Sequence, residues 1–192
     1  MSVDKLAMSQ IDRSPTFPGS RQAELHELLD ELTSRKLIVI SGPPNIGKSA
    51  LVGSYIESRA LPSIWYRVSK DDAYPTKFFY GLGLSLAEGD TSRNITIPCV
   101  AKMGSQGVEE FATEYFKALF QQMEAPFLIV LDNYHEVAED SPLHHAIRIA
   151  CAGLPKAGRI VIVTRTKCPL LLDQLRAFNM AGMIEEEDFQ GV

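Results

Sequence analysis

The chain has 192 residues, 45% of them hydrophobic and 22% charged, which is the size and balance of one globular domain with an ample core. Its formal net charge of -5 at pH 7 argues against a surface built chiefly to neutralise nucleic-acid phosphates or anionic lipid. There is no apolar run long enough to span a membrane, no signal peptide, and no CxxC spacing among Cys99, Cys151 and Cys168, so we expect reduced thiols and a cytoplasmic protein.

The first predicted elements are a leader, a helix and a strand. Residues 1–20 are polar and interrupted by prolines and a glycine, which predicts a leader or linker that ends in a turn. From Arg21 onward, leucines recur at the spacing of one helical face, opposite a row of glutamates. The segment 37–40 is short, apolar and mostly β-branched, as in a strand that is buried on both faces of a parallel sheet.

Strands and helices then alternate along the chain. Segments with the composition of buried strands are 64–68, 127–131 and 160–163, with a weaker candidate at 183–185. Residues 108–123 have an apolar stripe at helical spacing, which we assign to the core, and another helix begins at the capping residue Ser141 and at Pro142. The stretch 89–107 has no clear period and is predicted to be a long loop or insertion.

This alternation predicts the fold class. Buried strands between amphipathic helices form right-handed βαβ units, so we expect an α/β protein of three layers, α/β/α, with a mostly parallel sheet. Residues 21–192 are expected to form this single domain.

Residues 42–49 match G-x-x-x-x-G-K-[ST], the P-loop pattern, between a predicted strand and a predicted helix. Gly42 and Gly47 permit a loop whose backbone N–H groups point at a pyrophosphate, and Asn45 tolerates the left-handed region. Lys48 provides an ammonium for the outer phosphates, and Ser49 provides a hydroxyl for magnesium. An accidental match in an ordinary loop is the alternative. The predicted nucleotide-binding set is Gly42, Pro43, Pro44, Asn45, Ile46, Gly47, Lys48, Ser49 and Ala50.

A carboxylate at the end of the apolar segment 127–131 completes a magnesium site. Asp132 is expected at the carboxyl edge of the sheet, where the P-loop also lies, so Ser49 and Asp132 can converge on one ion. The alternative is an ordinary turn aspartate. Asn133 follows, where a hydrolase would profit from a second carboxylate; an amide orients water but is a very poor base, which predicts slow hydrolysis.

Other polar residues near this edge have open roles. Glu136 and Glu139 could provide a base, and His135 is more often exposed or capping in such a position than part of a site. Thr164 and Arg165 end the next strand, where arginine could sense a third phosphate or simply face solvent.

Two further histidines do not suggest a metal site. His144 and His145 are adjacent on a predicted helix and point in different directions, so they are not expected to hold a metal together.

Most of the chain resembles the nucleotide-binding domain of the signal-transduction ATPases with numerous domains (the STAND class of P-loop NTPases), in particular the MalT-like branch of LuxR-family, ATP-dependent transcription regulators. Archaeal-type ATPases are similar in a wider sense. The resemblance is carried by these residues: Gly19-Ser20-Arg21, Ile40-Ser41-Gly42, Ile64-Trp65-Tyr66, Asp71-Asp72, Phe78-Phe79, Leu131-Asp132-Asn133-Tyr134-His135, Leu154-Pro155, Val163-Thr164-Arg165, Pro169 and Leu175-Arg176.

The resemblance implies an ATP- or ADP-binding switch with magnesium, which oligomerises and presents an output domain, and a five-stranded core of order 5-1-4-3-2. It implies that Lys48 contacts the phosphates, that Ser49 and Asp132 bind magnesium, and that Arg165 senses the third phosphate. Asn133 and Asn45 depart from the family, which usually has aspartate and glycine there. Because no winged helix, sensor repeats or DNA-binding motif follow, the chain looks like one module, either a domain of a larger regulator or a small protein that has lost the other domains.

The leading hypothesis is therefore a regulatory ATP-binding domain with at most weak ATPase activity, which associates with itself or with other domains and does not itself bind nucleic acid or membrane. The alternative is a kinase-like phosphotransferase acting on a small substrate. A kinase needs an arginine-rich lid, and the candidate stretch 89–107 contains only Arg93 and Lys102. A decayed site is disfavoured because Lys48, Ser49 and Asp132 are all present.

Overall fold

The structure of the chain is a computed structural model, and it describes residues 19–89 and 96–190. It contains a five-stranded parallel sheet. The strands are β1 (Leu37–Ser41), β2 (Ser63–Arg67), β3 (Phe127–Asp132), β4 (Gly158–Thr164) and β5 (Ala181–Ile184). Their spatial order is β2-β3-β4-β1-β5, which is 5-1-4-3-2 when it is read from the other side. The predicted α/β class and strand order are confirmed.

Helices cover both faces of this sheet. In chain order they are α1 (Gly19–Leu32), α2 (Lys48–Arg59), α3 (Pro75–Gly89), α4 (Met103–Gln106), α5 (Val108–Gln122), α6 (Leu143–Gly153), α7 (Leu170–Asp173) and α8 (Glu186–Gln190). Short 3-10 turns occupy Lys70–Ala73, Val100–Lys102, Tyr134–Glu136 and Gln174–Arg176. Among the described residues, no helix is long and apolar enough to cross a membrane.

The two faces of the sheet pack differently. Helices α1 and α2 cover an aliphatic core on one face, in which Leu29, Val52, Ile38 and Val161 are buried. On the other face α3, α5 and α6 enclose a chain of aromatic rings with centroids about 5–6 Å apart. Its members are Phe78, Phe79, Phe111, Tyr115, Phe116, Phe120 and Phe127. The stripe on α5 is therefore core, as predicted.

Several predicted boundaries need correction. Helix α1 begins at Gly19 rather than Arg21, so the last two residues of the predicted leader are helical, while residues 1–18 lie outside the described part. The predicted loop 89–107 contains a 3-10 turn and the one-turn helix α4 in its described portion, and residues 90–95 are not described.

Helix α3 is the main element that the sequence pattern did not reveal. Its sequence includes Gly81 and Gly83, and glycine is a weak helix former. Both glycines are packed closely: a Cβ at Gly81 would lie 2.4 Å from the hydroxyl oxygen of Tyr66, and one at Gly83 would lie 2.8 Å from Cδ1 of Ile97. Tertiary contact thus overrides local propensity in this helix.

Candidate functional site

The P-loop connects β1 to α2 with an unusual backbone. Gly42, Asn45 and Gly47 have φ angles of 147°, 65° and 93°, values that favour glycine and that asparagine tolerates. A Cβ on Gly42 would also lie 2.6 Å from Cδ1 of Ile46. The expectation for Asn45 is confirmed, and the loop has the open backbone that a phosphate cradle requires.

Lys48 is the buried cation of this loop. Lys48 is the first residue of α2 and is only 7% exposed. Its Nζ donates hydrogen bonds to the carbonyl oxygens of Gly42 at 2.7 Å and Pro43 at 2.6 Å. Burial lowers the pKa of Lys48, nearby Arg165 lowers it further, and Asp132 opposes both. Because burial and a second cation disfavour the ammonium, an anion placed here would be attracted strongly.

Ser49 and Asp132 meet although they are far apart in the chain. The Ser49 hydroxyl is 3.1 Å and 3.2 Å from the two carboxylate oxygens of Asp132, which ends β3. The carboxylate also accepts a hydrogen bond from the backbone N–H of Asn133 at 2.8 Å. Hydroxyl and carboxylate oxygens are the ligands that Mg²⁺ prefers in proteins. This pair therefore fits the predicted magnesium site.

The strand register explains why these residues converge. Ser41, just before the P-loop, lies beside Thr164 at the end of β4, and Asp132 lies beside Arg67 at the end of β2. The carboxyl ends of parallel strands form one edge, and their loops carry the polar groups there. Arg165 follows Thr164 at this edge; it is exposed, and its charge lowers the pKa of Lys48. The predicted site residues are thus brought together at one edge, while their roles stay predictions.

His135 lies in this site, contrary to the sequence-based preference for an exposed or capping residue. Its side chain is 12% exposed, Nε2 is 3.5 Å from Oε1 of Glu136, and Nδ1 is buried without a hydrogen-bond partner among the described residues. Burial lowers its pKa, and Arg165 lowers it further. In the sequence, the one signal for this placement was the position of His135 three residues after Asp132. That signal was weak because the turn between the two residues could have directed the ring elsewhere.

The turn that carries His135 is anchored by hydrogen bonds of its buried neighbour Tyr134. Asn133 begins it in the left-handed conformation with φ of 60°, and the buried Tyr134 hydroxyl donates to Nδ1 of His144 at 2.8 Å. Nε2 of His144 in turn donates to the carbonyl oxygen of Ala138 at 2.8 Å. Burial raises the pKa of Tyr134 well above its ordinary value and lowers that of His144. Both groups are therefore neutral, and the turn is anchored by two neutral hydrogen bonds.

His144 and His145 point apart, as predicted. Nε2 of His145 lies 3.0 Å from Oε1 of Glu109, away from the Tyr134 contact. Within residues 19–89 and 96–190, no group of three or more histidines, cysteines or acidic residues is arranged to hold a metal. Glu136 is near His135 whereas Glu139 is exposed, which makes Glu136 the better placed of the two candidate bases.

Comparisons with known proteins place the fold in context. No family model and no curated protein matches the chain. Solved structures do match it. A Walker-type ATPase of Pyrococcus abyssi matches with a TM-score of 0.50 and 14% identity, over 93% of this chain and 54% of that one. PCH-2 of C. elegans matches with a TM-score of 0.54 and 10% identity, over 95% of this chain and 47% of that one, and the ORC1 protein of Aeropyrum pernix in complex with DNA matches with a TM-score of 0.55 and 14% identity, over 94% of this chain and 48% of that one. The chain spans about half the length of these structures. At such identities the likeness concerns the fold.

Proposed function

From the premise that the chain has the fold of P-loop NTPases, we propose that it binds ATP with magnesium and acts as a regulatory switch with slow hydrolysis. The observation that carries this proposal is the contact of the Ser49 hydroxyl with both carboxylate oxygens of Asp132, at 3.1 and 3.2 Å, beside the buried ammonium of Lys48. A phosphate-binding cation and a magnesium-binding pair at one sheet edge are what a nucleoside triphosphate requires.

Each residue of the site has a distinct task in this proposal. The backbone N–H groups of the P-loop and the N-terminus of α2 hold the phosphates. Lys48 exchanges its hydrogen bonds to the loop carbonyls for phosphate oxygens, and Ser49 and Asp132 hold the magnesium ion, which neutralises phosphate charge. Arg165, exposed at the same carboxyl edge, senses the outermost phosphate. His135 lies in the turn that follows Asp132, and the charges of Arg165, Lys48 and Asp132 all act on its pKa. We therefore include it in the same site.

Slow hydrolysis follows from the residue after Asp132. Asn133 has an amide where a carboxylate would act as base, and an amide does not accept a proton at neutral pH. Glu136 is the remaining candidate base, but it is engaged at 3.5 Å with Nε2 of His135. The nucleotide therefore acts mainly through its presence and not through rapid turnover.

The regulatory part of the proposal rests on sequence resemblance. Motifs along most of the chain resemble the MalT-like branch of the STAND class, in which an ATP-dependent switch controls oligomerisation and transcriptional output. The observed strand order is the one that this resemblance implies. A net charge of -5 argues against direct DNA binding by this segment, so we propose that output is transmitted through other domains or through self-association.

The first experiment measures thermal unfolding with ATP, ADP and GTP, each with and without magnesium. A ligand present at a hundred times its dissociation constant should add about 2.7 kcal/mol. We expect the largest stabilisation with ATP or ADP and magnesium. If no nucleotide shifts the unfolding temperature, nucleotide binding is refuted.

A second experiment tests the switch against the kinase alternative by measuring phosphate release and product formation. The wild-type chain should release phosphate slowly, and Asn133→Asp should release it about tenfold faster because a carboxylate replaces the amide. Aspartate tolerates the left-handed backbone at this position. Turnover of several per second by the wild type, or turnover that depends on a small acceptor molecule, would contradict the switch. Light scattering with ATP and with ADP then tests self-association.

A further inference from the structure

A cavity lies at the amino-terminal ends of the strands, opposite the carboxyl edge that carries the P-loop. It has a volume of about 400 Å³, which is within the range of small-molecule sites. It is formed where α1 and α2 end over the first residues of β1, β3 and β4. The P-loop residues are not among those that line it, so this cavity is separate from the proposed nucleotide site.

The interior of this cavity is apolar. Its deep walls are side chains that are at most 5% exposed, namely Leu29, Ile38, Val52, Leu128 and Val161. Half-buried Leu61 and Ala157 lie nearer the surface. Such walls offer contact area to an aliphatic or aromatic body and no hydrogen bonds.

Charged groups surround the entrance. Arg59 donates from Nη2 to Oδ2 of Asp30 at 2.5 Å and from Nε to Oδ1 at 3.4 Å, and the buried Tyr55 donates its hydroxyl to Oδ1 at 2.6 Å. Arg159 donates from Nη1 to the carbonyl oxygens of Lys156 and Gly158, both at 2.6 Å, and from Nε to that of Thr33.

The charges at the entrance do not balance. Among the lining residues Asp30 is acidic, whereas Arg59 and Arg159 are basic. Within the described part of the chain, Nη1 of Arg59 and Nη2 of Arg159 have no hydrogen-bond acceptor. Both guanidinium groups lie close enough to Tyr55 to act electrostatically on its hydroxyl. Both arginines line this cavity, whose lining residues therefore carry one positive charge in excess.

We propose that this cavity binds a small amphipathic monocarboxylate, with its apolar body against Val52 and Val161 and its carboxylate between Arg59 and Arg159. A guanidinium is well suited to a carboxylate because it offers paired donors in a plane. A neutral apolar ligand would use the walls but not the excess charge, and an amine would be repelled by it. The Asp30–Arg59 pair is 43% and 42% exposed, so it can rearrange at small cost to admit the ligand.

The direct test is calorimetric titration of the full chain with octanoate, 1-octanol and octylamine, all below micelle-forming concentrations. We expect saturable binding of octanoate, an affinity for 1-octanol that is lower by about fivefold or more, and no binding of octylamine. Absence of saturable octanoate binding, or equal affinity for octanoate and 1-octanol, would overturn the proposal.

Two surface variants separate charge from structure. Arg59→Gln should weaken octanoate binding about five- to tenfold and leave 1-octanol unchanged, since a charge-assisted hydrogen bond is lost. Asp30→Asn should strengthen octanoate binding, because the competing carboxylate is removed while an acceptor for Tyr55 remains. If Arg59 and Asp30 had only a structural role, both substitutions would change the affinities for octanoate and for 1-octanol in the same direction. That result would refute the carboxylate site.

A third variant tests the location. Ala157→Trp places a large side chain at the half-buried rim and should abolish binding of octanoate and 1-octanol alike. Unfolding curves of each variant establish that it is folded under the titration conditions. If folded Ala157→Trp binds octanoate as the wild type does, the ligand occupies another place and the assignment of this cavity is wrong.

Discussion

The two ends of helix α2 lie in opposite environments. At its start, Lys48 is 7% exposed and shares the carboxyl edge of the sheet with Asp132 and Arg165. At its end, Arg59 forms a solvent-exposed pair with Asp30 over an apolar cavity. Lys48 at the first end is desolvated and its pKa is lowered further by Arg165, whereas the Asp30–Arg59 pair at the second end is screened by water. Substitutions of Lys48 and Asp132 should therefore change nucleotide binding strongly, whereas those of Asp30 and Arg59 should change stability very little.

The largest effect is expected for Lys48→Ala. The variant removes the ammonium that is placed among the P-loop carbonyls, so calorimetry should show at least a hundredfold loss of ATP affinity, on the order of 3 kcal/mol. Lys156→Ala is the matched control, because Lys156 is an exposed lysine near the opposite edge of the sheet. Undiminished ATP binding by folded Lys48→Ala would contradict the account of the P-loop.

Asp132→Asn should have the next largest effect, and a different one. It preserves the shape of the side chain but removes the charge that a divalent cation requires. We expect ATP affinity in the presence of magnesium to fall about tenfold or more, while the smaller affinity measured in a chelator is nearly unchanged. Asp140→Asn, an exposed aspartate, serves as control. Equal losses with and without magnesium would show that Asp132 acts on the fold and not on the ion.

A change of pH should alter stability through the histidines. Burial lowers the pKa of His26, His135 and His144 in the folded chain, so the unfolded chain binds more protons below about pH 6.5. Stability is then full above that pH and falls as the pH drops towards the folded-state pKa values. We expect the unfolding temperature to fall by several degrees between pH 7.5 and 5.5, at about 2–4 °C per kcal/mol.

His144→Gln assigns part of this pH dependence to one residue. Glutamine stays neutral throughout the range and can still accept from Tyr134, so the variant should be less stable at pH 7.5 but should lose less on acidification. A slope identical to that of the wild type would exclude His144 as a source of the acid sensitivity.

The smallest effect is expected for the Asp30–Arg59 pair at the far end of α2. Arg59→Ala should lower the urea midpoint only slightly, and the difference from the wild type should shrink in about 1 M salt, where the screening length is about 3 Å. The Asp30→Ala and double variants complete a cycle that isolates the pair. A salt-independent loss would mean that Arg59 stabilises through packing on the Tyr55 ring, which lies 5.6 Å from its guanidinium carbon.

Local patterns predicted much of the fold. Short β-branched runs anticipated β1, β3 and β4 to within two residues, since strands that are buried on both faces must be apolar throughout. Helix α3 was not predicted because Gly81 weakens its local helical pattern, and the close approach of Tyr66 leaves no room for a side chain at this position. In such a case the packing partner, and not the helix's own residues, explains the sequence.

The amino-acid sequence by itself determined the P-loop, because its glycines, Asn45 and Lys48 are consecutive and their backbone requirements are local. Only the tertiary structure decided which distant groups join them. The contact of Ser49 with Asp132, the burial of His135 at the same edge and the cavity beneath α2 depend on strand register and helix packing. These arise from interactions between residues far apart in the chain, which no local pattern records.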